Sequence, residues 1–221
     1  MRVLLFGGSG MVGQGVLREC LLDERVSEVV GVGRGSNGVS HVKYRELLRP
    51  DLFDLRGWES ELSGFDACFF CLGVSAAGMR DDEYKRLTYD LTLGVARFLR
   101  ERNPAMCFVY VSGGGTDGSG KGRIAWAKVK GETENAIFGM GFRDAYAFRP
   151  GMIQPMHREK TKTPAYRWAY FVLGPVLPLL RKLIPGLVTT TEEVGRAMLR
   201  VASEGWPKKV LEQRDIVKCG A

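Results

Sequence analysis

Short apolar runs alternate with longer segments of helical period along most of this chain of 221 residues. The runs are rich in Val, Leu and Phe and too short for helices, which is typical of buried strands. Between them, apolar residues recur with the spacing of one helix face. Strands that are apolar on both faces and alternate with helices predict a parallel sheet covered on both sides. The sequence therefore predicts an α/β fold with a doubly wound, mostly parallel sheet.

The same patterns place the individual elements. Strands are predicted at 2–6, 27–34, 41–47, 66–72, 107–112, 144–151 and 208–216. Helices are predicted at 11–22, 55–62, 81–103, 124–138 and 189–205. The last of these helices has Thr190 or Thr191 as its expected N-cap, because a threonine hydroxyl can accept a hydrogen bond from the first helical turn.

One segment departs from this regular alternation. Residues 152–186 are rich in proline, aromatic and basic residues and follow the sixth predicted strand. We expect residues 1–221 to form a single domain in which this segment is a small cap-like insertion. It would lie beside the carboxyl edge of the sheet, where such folds bind ligands.

A glycine-rich turn follows the first predicted strand and opens the first helix. In "FGGSGMVGQG", Gly7, Gly10 and Gly13 form G-x-x-G-x-x-G, and Gly8 with the last two also satisfies G-x-G-x-x-G. Glycine permits a tight turn and a close approach of the backbone to a pyrophosphate. The helix N-terminus offers N–H groups and a positive dipole end, and Ser9 adds a hydroxyl. The order of strand, glycines and helix predicts a Rossmann dinucleotide site rather than a merely tight turn.

The end of the second predicted strand bears on the choice of dinucleotide. An acidic residue there usually binds the ribose 2′-hydroxyl of NAD(H), whereas an arginine suits the 2′-phosphate of NADP(H). This strand ends at Arg34, and its only acid, Glu28, stands near its beginning. NADP(H) is therefore the predicted cofactor, with NAD(H) as the alternative.

The charge balance limits the partners. The 32 Lys and Arg residues outnumber the 25 Asp and Glu residues and give a net charge of +7. These basic residues are spread along the chain, with mild clusters at 121–130 and 158–162, and form no dense stripe with interleaved aromatics. We therefore expect solvated basic faces and one anionic ligand, and no nucleic-acid partner.

No segment is predicted to be an integral membrane span. The longest uncharged apolar run, Trp168–Leu180, is short and interrupted by glycine and proline. Peripheral contact with a membrane remains an alternative for this part of the chain.

The five cysteines are scattered along the chain. Cys68 and Cys71 form a C-x-x-C, but residues i and i+3 of a strand point to opposite faces. We therefore expect buried thiols rather than a redox or metal motif, and a reducing, cytoplasmic location. The two histidines lack metal-ligand spacing, so no metal site is predicted.

A second glycine-rich stretch, Gly115–Gly122, comes within one residue of a phosphate-binding P-loop. The motif needs Ser or Thr after its lysine to hold magnesium, and Gly122 occupies that position. The expected alternative is a flexible, basic loop at an active site.

The order of the glycine turn, "VYVS", the Lys130 helix and "FRPG" resembles that of the atypical short-chain dehydrogenases/reductases, a family with NAD(P)-binding Rossmann folds. More narrowly it resembles the TIP30-like branch, and the resemblance covers almost the whole chain. It implies that Ser112 orients a substrate carbonyl and that Lys130 binds the cofactor ribose. It also implies that "RPG" places Pro150 and Gly151 against the nicotinamide.

Two sets of site residues follow from the motifs and the resemblance together. The expected catalytic residues are Ser112 and Lys130. The expected cofactor-binding residues are Gly7, Ser9, Gly10, Met11, Val12, Gly13, Arg34, Cys71, Leu72, Gly73, Lys130, Pro150, Gly151 and Met152.

The sequence departs from the family at the position that normally supplies a proton. The family has Tyr-x-x-x-Lys, and the place of the tyrosine is taken by Trp126. An indole N–H donates a hydrogen bond but does not relay a proton. Trp126 is either a site residue or a packing residue facing the cap, and a replacement donor is sought in Ser112, Tyr84, Tyr89 or water.

Three functions follow. The first is an NADP(H)-dependent oxidoreductase or epimerase-like enzyme acting on a small carbonyl or hydroxyl compound. The second is a catalytically degenerate NADP(H)-binding sensor, regulator or assembly factor. The third is a peripheral membrane or partner-binding module acting through residues 166–183. A monomer or homodimer is expected in each case.

Overall fold

In the computed structural model, residues 1–157, 159 and 186–221 are described. Seven strands form one sheet in which all neighbours are parallel, in the order β3-β2-β1-β4-β5-β6-β9. They are β1 (Arg2–Phe6), β2 (Glu28–Gly33), β3 (Tyr44–Leu48), β4 (Ala67–Phe70), β5 (Cys107–Val111), β6 (Asp144–Arg149) and β9 (Val210–Glu212). Two short strands, β7 (Met152–Gln154) and β8 (Val188–Thr190), form a separate parallel pair. The predicted doubly wound parallel sheet is confirmed.

Helices cover both faces of this sheet. They are α1 (Met11–Leu22), α2 (Asp81–Lys85), α3 (Leu91–Arg102), α4 (Ala125–Phe138), α5 (Thr191–Glu204) and α6 (Gln213–Gly220). A π-helical turn at Arg86–Asp90 joins α2 to α3 without a break. The predicted helix at 81–103 is therefore a single rod containing one wide turn, which apolar spacing alone does not reveal. None of the helices in the described residues is long and apolar enough to cross a membrane.

The central strand β1 shows how the sheet divides two cores. The side chains of Val3–Phe6 are fully buried and alternate between the faces, as the pleat requires. Val3 and Leu5 join the core formed with α1, α5 and α6. Leu4 and Phe6 join the core formed with α3 and α4. Burial on both faces explains why this strand reads as an unbroken apolar run.

One predicted element is wrong, and another is predicted too long. Residues 55–62 form turns rather than a helix, because Gly57 has a positive φ of 84° and Arg49 donates hydrogen bonds to the carbonyls of Asp54 and Arg56. The predicted strand at 208–216 ends at Glu212, where α6 begins. Glu212 and Asp215 form a capping box there, which favours the helix over a longer strand.

The start of α5 is as predicted. Thr190 is the N-cap, and its side chain accepts a hydrogen bond from the backbone of Glu193 at 3.1 Å. The Glu193 carboxylate accepts one in return from the backbone of Thr190 at 2.8 Å. This reciprocal pair fixes the position at which α5 begins.

The predicted cap falls largely outside the described residues. Of residues 152–186, those at 158 and 160–185 are not among the residues that the structure describes. The segment 166–183 and most of the basic cluster at 158–162 lie there as well. The cap and the membrane-contact hypothesis therefore remain predictions.

Candidate active site

The strand order creates a crevice at one edge of the sheet. From β1 the chain builds outward through β2 and β3, and it then returns to place β4 on the other side of β1. In open α/β sheets, ligands bind where the order reverses in this way, outside the carboxyl ends of the strands. A cleft of about 1380 Å³ opens at this point, lined by residues from the ends of β1, β2, β4, β5 and β6.

The glycine turn forms the floor of this cleft. Gly7 has a positive φ of 83°, and a Cβ there would lie 2.6 Å from the backbone nitrogen of Leu72. A Cβ on Gly13 would lie 2.2 Å from the carbonyl oxygen of Gly7. Both positions thus require glycine for a close approach of backbone to backbone. Gly13 lies beneath the turn and does not line the cleft.

The N-terminus of α1 faces the cleft from this turn. Gly10 is its N-cap, no hydrogen bond from a described side chain caps it, and its first turn holds no acidic residue. Ser9, Met11 and Val12 line the cleft beside it. Such a terminus presents N–H groups and a positive dipole end, which suit a pyrophosphate. The residues present therefore fit a dinucleotide.

At the β3 end of the cleft, the loop after β2 is fixed by a carboxylate that the sequence patterns did not single out. Glu46 accepts hydrogen bonds from the Ser36 hydroxyl, the Asn37 backbone at 2.9 Å and the Tyr44 hydroxyl at 3.1 Å. Burial raises the pKa of Glu46, but these hydrogen bonds lower it below its ordinary value. The exposed Arg34 lies in the same loop and forms no ion pair with another described side chain. The only signal for Glu46 was its place in a weakly predicted third strand.

At the opposite end, α4 brings a tryptophan and a lysine to the end of β5. Trp126, Lys130 and Ser112 all line the cleft. The Lys130 ammonium donates a hydrogen bond to the Ser112 carbonyl at 3.2 Å and lies 5.4 Å from the centre of the Tyr110 ring. Burial lowers the pKa of Lys130 to about 8, and the nearby Glu134 opposes this shift. Trp126 is therefore a wall of the site.

The chain after β6 forms the next wall. Pro150 and Gly151 line the cleft, and the Gly151 backbone donates a hydrogen bond to the Gln213 side chain at 2.6 Å. Just before them, Arg149 donates to both oxygens of Glu134, at 2.6 and 3.0 Å, and also to Glu212 at 2.9 Å. The motif "RPG" is thus held from α4 and from the C-terminal segment. Nothing in the sequence pattern indicated Glu212 or Gln213.

The P-loop-like stretch is organised around its own aspartate. The Asp117 carboxylate accepts hydrogen bonds from the backbone of Ser119 at 2.9 Å and of Gly122 at 2.7 Å. These N–H groups are the ones that a phosphate would need, and a carboxylate already holds them. The loop is therefore a structured connection to α4 rather than a nucleotide cradle.

The remaining predicted residues divide between wall and exterior. Cys71, Leu72 and Gly73 follow β4 and line the cleft. Met152 does not line it: it belongs to β7, which pairs with β8, and it is 36% exposed. Of the suggested replacement donors, Tyr84 lines the cleft and Tyr89 does not.

Comparison with known proteins adds relatives over the whole length. No family model matches the chain. In an alignment of 229 positions, the chain is 31% identical to the "Protein fmp52-2, mitochondrial" of Aspergillus oryzae. The match covers 98% of this chain and 95% of that protein.

Solved structures show the same fold at low identity. The Bordetella bronchiseptica enzyme WbmF, in complex with NAD+, has a TM-score of 0.67 at 16% identity and covers 98% of this chain and 76% of its own. The ADP-L-glycero-D-manno-heptose-6-epimerase of Helicobacter pylori has a TM-score of 0.68 at 18% identity, covering 98% and 80%.

These findings confirm one expectation and correct another. The predicted cytoplasmic location is wrong, because the Aspergillus oryzae relative is named as a mitochondrial protein. The five free cysteines form no disulfides, but this property does not identify the compartment. The fold that the resemblance to the atypical short-chain dehydrogenases/reductases implies is confirmed by these solved structures. With 31% identity across nearly the whole of both chains, this protein belongs to the Fmp52 family.

Proposed function

We propose that this protein binds NADP(H) along the cleft and acts as an oxidoreductase or epimerase-like enzyme on a small carbonyl or hydroxyl compound. The observation that carries the proposal is that the glycine turn, Ser112 and Lys130 line a single cleft at the switch point of the sheet. The name of the relative supports mitochondria as the compartment.

Different residues of the cleft would bind different parts of the dinucleotide. The pyrophosphate would lie over Gly7–Gly10 at the N-terminus of α1, and the 2′-phosphate would meet Arg34. Lys130 would bind the nicotinamide ribose, with Pro150 and Gly151 against the ring. A bound NADPH supplies a hydride, which leaves the chain to orient the carbonyl, exclude water and supply a proton.

Replacing Arg34 with alanine is expected to weaken NADPH binding about 10- to 100-fold and to leave NADH binding nearly unchanged. A hydrogen bond to a charged group contributes roughly 1.5–3 kcal/mol, and NADH lacks the 2′-phosphate that would receive it. Titration of each dinucleotide by nicotinamide fluorescence measures both constants. Arg56→Ala, an exposed arginine outside the cleft wall, is the matched control.

The same titration tests the proposal as a whole. An equal loss of both dinucleotides in Arg34→Ala would remove the preference for NADP(H) and leave dinucleotide binding standing. A parent protein that binds neither dinucleotide would overturn the proposed function.

Dinucleotide affinity is expected to fall about tenfold as pH rises from 7 to 9. The pKa of Lys130 lies at about 8, so the side chain is a charged ammonium below this pH and a neutral amine above it. Its charge-assisted hydrogen bond to the ribose is then lost. Isothermal titration calorimetry across this range measures the effect. Lys130→Met should bind weakly at every pH, and a Lys130→Met variant that keeps the pH dependence would assign it to another group.

One observation favours the second candidate function, an NADP(H)-binding sensor. The indole of Trp126 lines the cleft, and it takes the position at which the short-chain dehydrogenases/reductases that the sequence resembles have a tyrosine as proton donor. A sensor would bind NADPH without turning over carbonyl substrates, whereas the enzyme needs a proton from elsewhere in the cleft.

A further inference from the structure

Reduction of a carbonyl in this cleft requires a proton donor other than Trp126. Hydride transfer to the carbonyl carbon leaves a negative charge on oxygen, and the indole N–H is too weak an acid to neutralise it. Side chains that serve as acids in enzymes are His, Asp, Glu, Lys, Tyr and Cys. The histidines of the chain, at 41 and 157, do not line the cleft.

Most acidic groups in the described wall are unsuitable. Glu46 is held ionised by its three hydrogen bonds, and Tyr44 donates to it from β3. Three strands, β2, β1 and β4, separate β3 from β5, whose end carries Ser112. Cys71 packs against the core, and burial raises its pKa far above its ordinary value. Lys130 and Tyr84 remain.

Tyr84 lies on α2, which packs against α4, the helix of Trp126 and Lys130. Its side chain is 3% exposed yet lines the cleft. The Lys130 ammonium faces the ring of Tyr110 and lies 5.4 Å from its centre. Burial raises the pKa of Tyr110, and the neighbouring Tyr84 and Glu134 raise it further. Tyr84 and Lys130 therefore line the same cleft from two helices that pack against each other.

We propose that Tyr84 is the catalytic proton donor. It would take the role that a tyrosine has in the short-chain dehydrogenases/reductases, at the position that Trp126 occupies in this chain. This inference rests on the proposed function. The Tyr84 O–H bond breaks as the proton passes to the oxygen of the reduced carbonyl, so that the alkoxide becomes the alcohol. The phenolate left behind is stabilised by the Lys130 ammonium, and a proton from solvent restores the phenol. Hydride and proton together balance the two-electron reduction of the carbonyl and the oxidation of NADPH to NADP+.

The division of roles between two helices follows. The phenol comes from α2 and the lysine from α4, instead of both from one helix. Trp126 keeps its place as an apolar wall with one N–H. Such a wall suits stacking on a planar substrate, so aromatic aldehydes and quinones are the class of carbonyl that the site fits best.

The test compares Tyr84→Phe with Tyr89→Phe, a matched change on the π turn at a residue outside the cleft wall. NADPH-dependent reduction of phenanthrenequinone, nitrobenzaldehyde and hexanal is followed, and NADPH affinity is measured by its fluorescence. We expect Tyr84→Phe to lower kcat about 100-fold or more without changing the Kd for NADPH, and Tyr89→Phe to change neither. Trp126→Tyr, introduced into Tyr84→Phe, is expected to restore turnover.

Several results would overturn the assignment. Parent-like turnover in Tyr84→Phe would show that Tyr84 is not the proton donor. Turnover that Trp126→Tyr does not restore would mark Tyr84 as a packing residue. A parent that binds NADPH but reduces none of the three carbonyls would favour the sensor, with the dinucleotide site intact. A parent that does not bind NADPH would overturn this inference and the proposed function together.

Discussion

Gly13→Ala is expected to abolish NADPH binding and to destabilise the protein by roughly 1–3 kcal/mol. The new Cβ would lie 2.2 Å from the Gly7 carbonyl oxygen and 2.8 Å from its carbon, and neither is part of a flexible side chain. The turn must therefore open, which moves the N-terminus of α1 away from the pyrophosphate position. Alanine gains about 1 kcal/mol of helix propensity over glycine, but the overlap with backbone outweighs this gain. Urea unfolding and NADPH titration measure the two effects.

Gly94→Ala is the matched control for this change. Gly94 lies inside α3, and a Cβ there would have no atom within 4 Å. The substitution then changes only the backbone conformational entropy lost on folding, which is larger for glycine than for alanine. The variant should therefore be more stable by about 0.5–1 kcal/mol and should bind NADPH normally. Normal NADPH binding by Gly13→Ala would show that the turn tolerates a Cβ and contradict this account of the motif.

Arg149→Met is expected to destabilise the protein by about 3–5 kcal/mol. Its partner Glu134 is 1% exposed, and the Arg149 side chain is itself only 15% exposed. Removing the guanidinium leaves a carboxylate buried without its main partner, and desolvation then opposes folding. Because Arg149 precedes the Pro150–Gly151 wall, NADPH affinity should fall as well. Equilibrium unfolding in urea gives the free energy.

Two variants isolate the cause. Lys208→Met breaks an ion pair with Asp215 in which the lysine is 64% exposed, and exposed pairs contribute only about 0–1 kcal/mol. Adding Glu134→Leu to Arg149→Met removes the stranded carboxylate and should recover most of the lost stability. An Arg149→Met variant as stable as Lys208→Met would show that Glu134 is reached by water.

The central sheet and the glycine turn were predictable because each rests on local chemistry. The run Val3–Phe6 is apolar at every position, and a strand buried on both faces reads in this way. Gly7 and Gly13 are spaced as the turn requires. The N-cap of α5 could be narrowed to Thr190 or Thr191 for the same reason, and the structure shows that it is Thr190.

The parts that escaped prediction depend on residues far apart in the chain. Arg49 donates hydrogen bonds to the carbonyls of Asp54 and Arg56, and no helical period reveals that competition. Glu46 acquires its role only when β3 aligns beside β2. Gln213 reaches Gly151 across 62 positions of sequence. Tyr84 was named only as one of several donors, because its approach to the cleft depends on how α2 packs against α4.

The π turn at Arg86–Asp90 joins α2 to α3 and determines how far α2 is rotated about the helix axis relative to α3. It contains one residue more than an α-helical turn of the same length, and each α-helical residue advances about 100° around the axis. In a chain that lacked that residue, α3 would stay packed in its core and α2 would be rotated by about 100° about the helix axis. Tyr84 would then leave the cleft while every strand stayed in place. The insertion thus couples the side chains at the mouth of the site to a helix whose other half is anchored by packing.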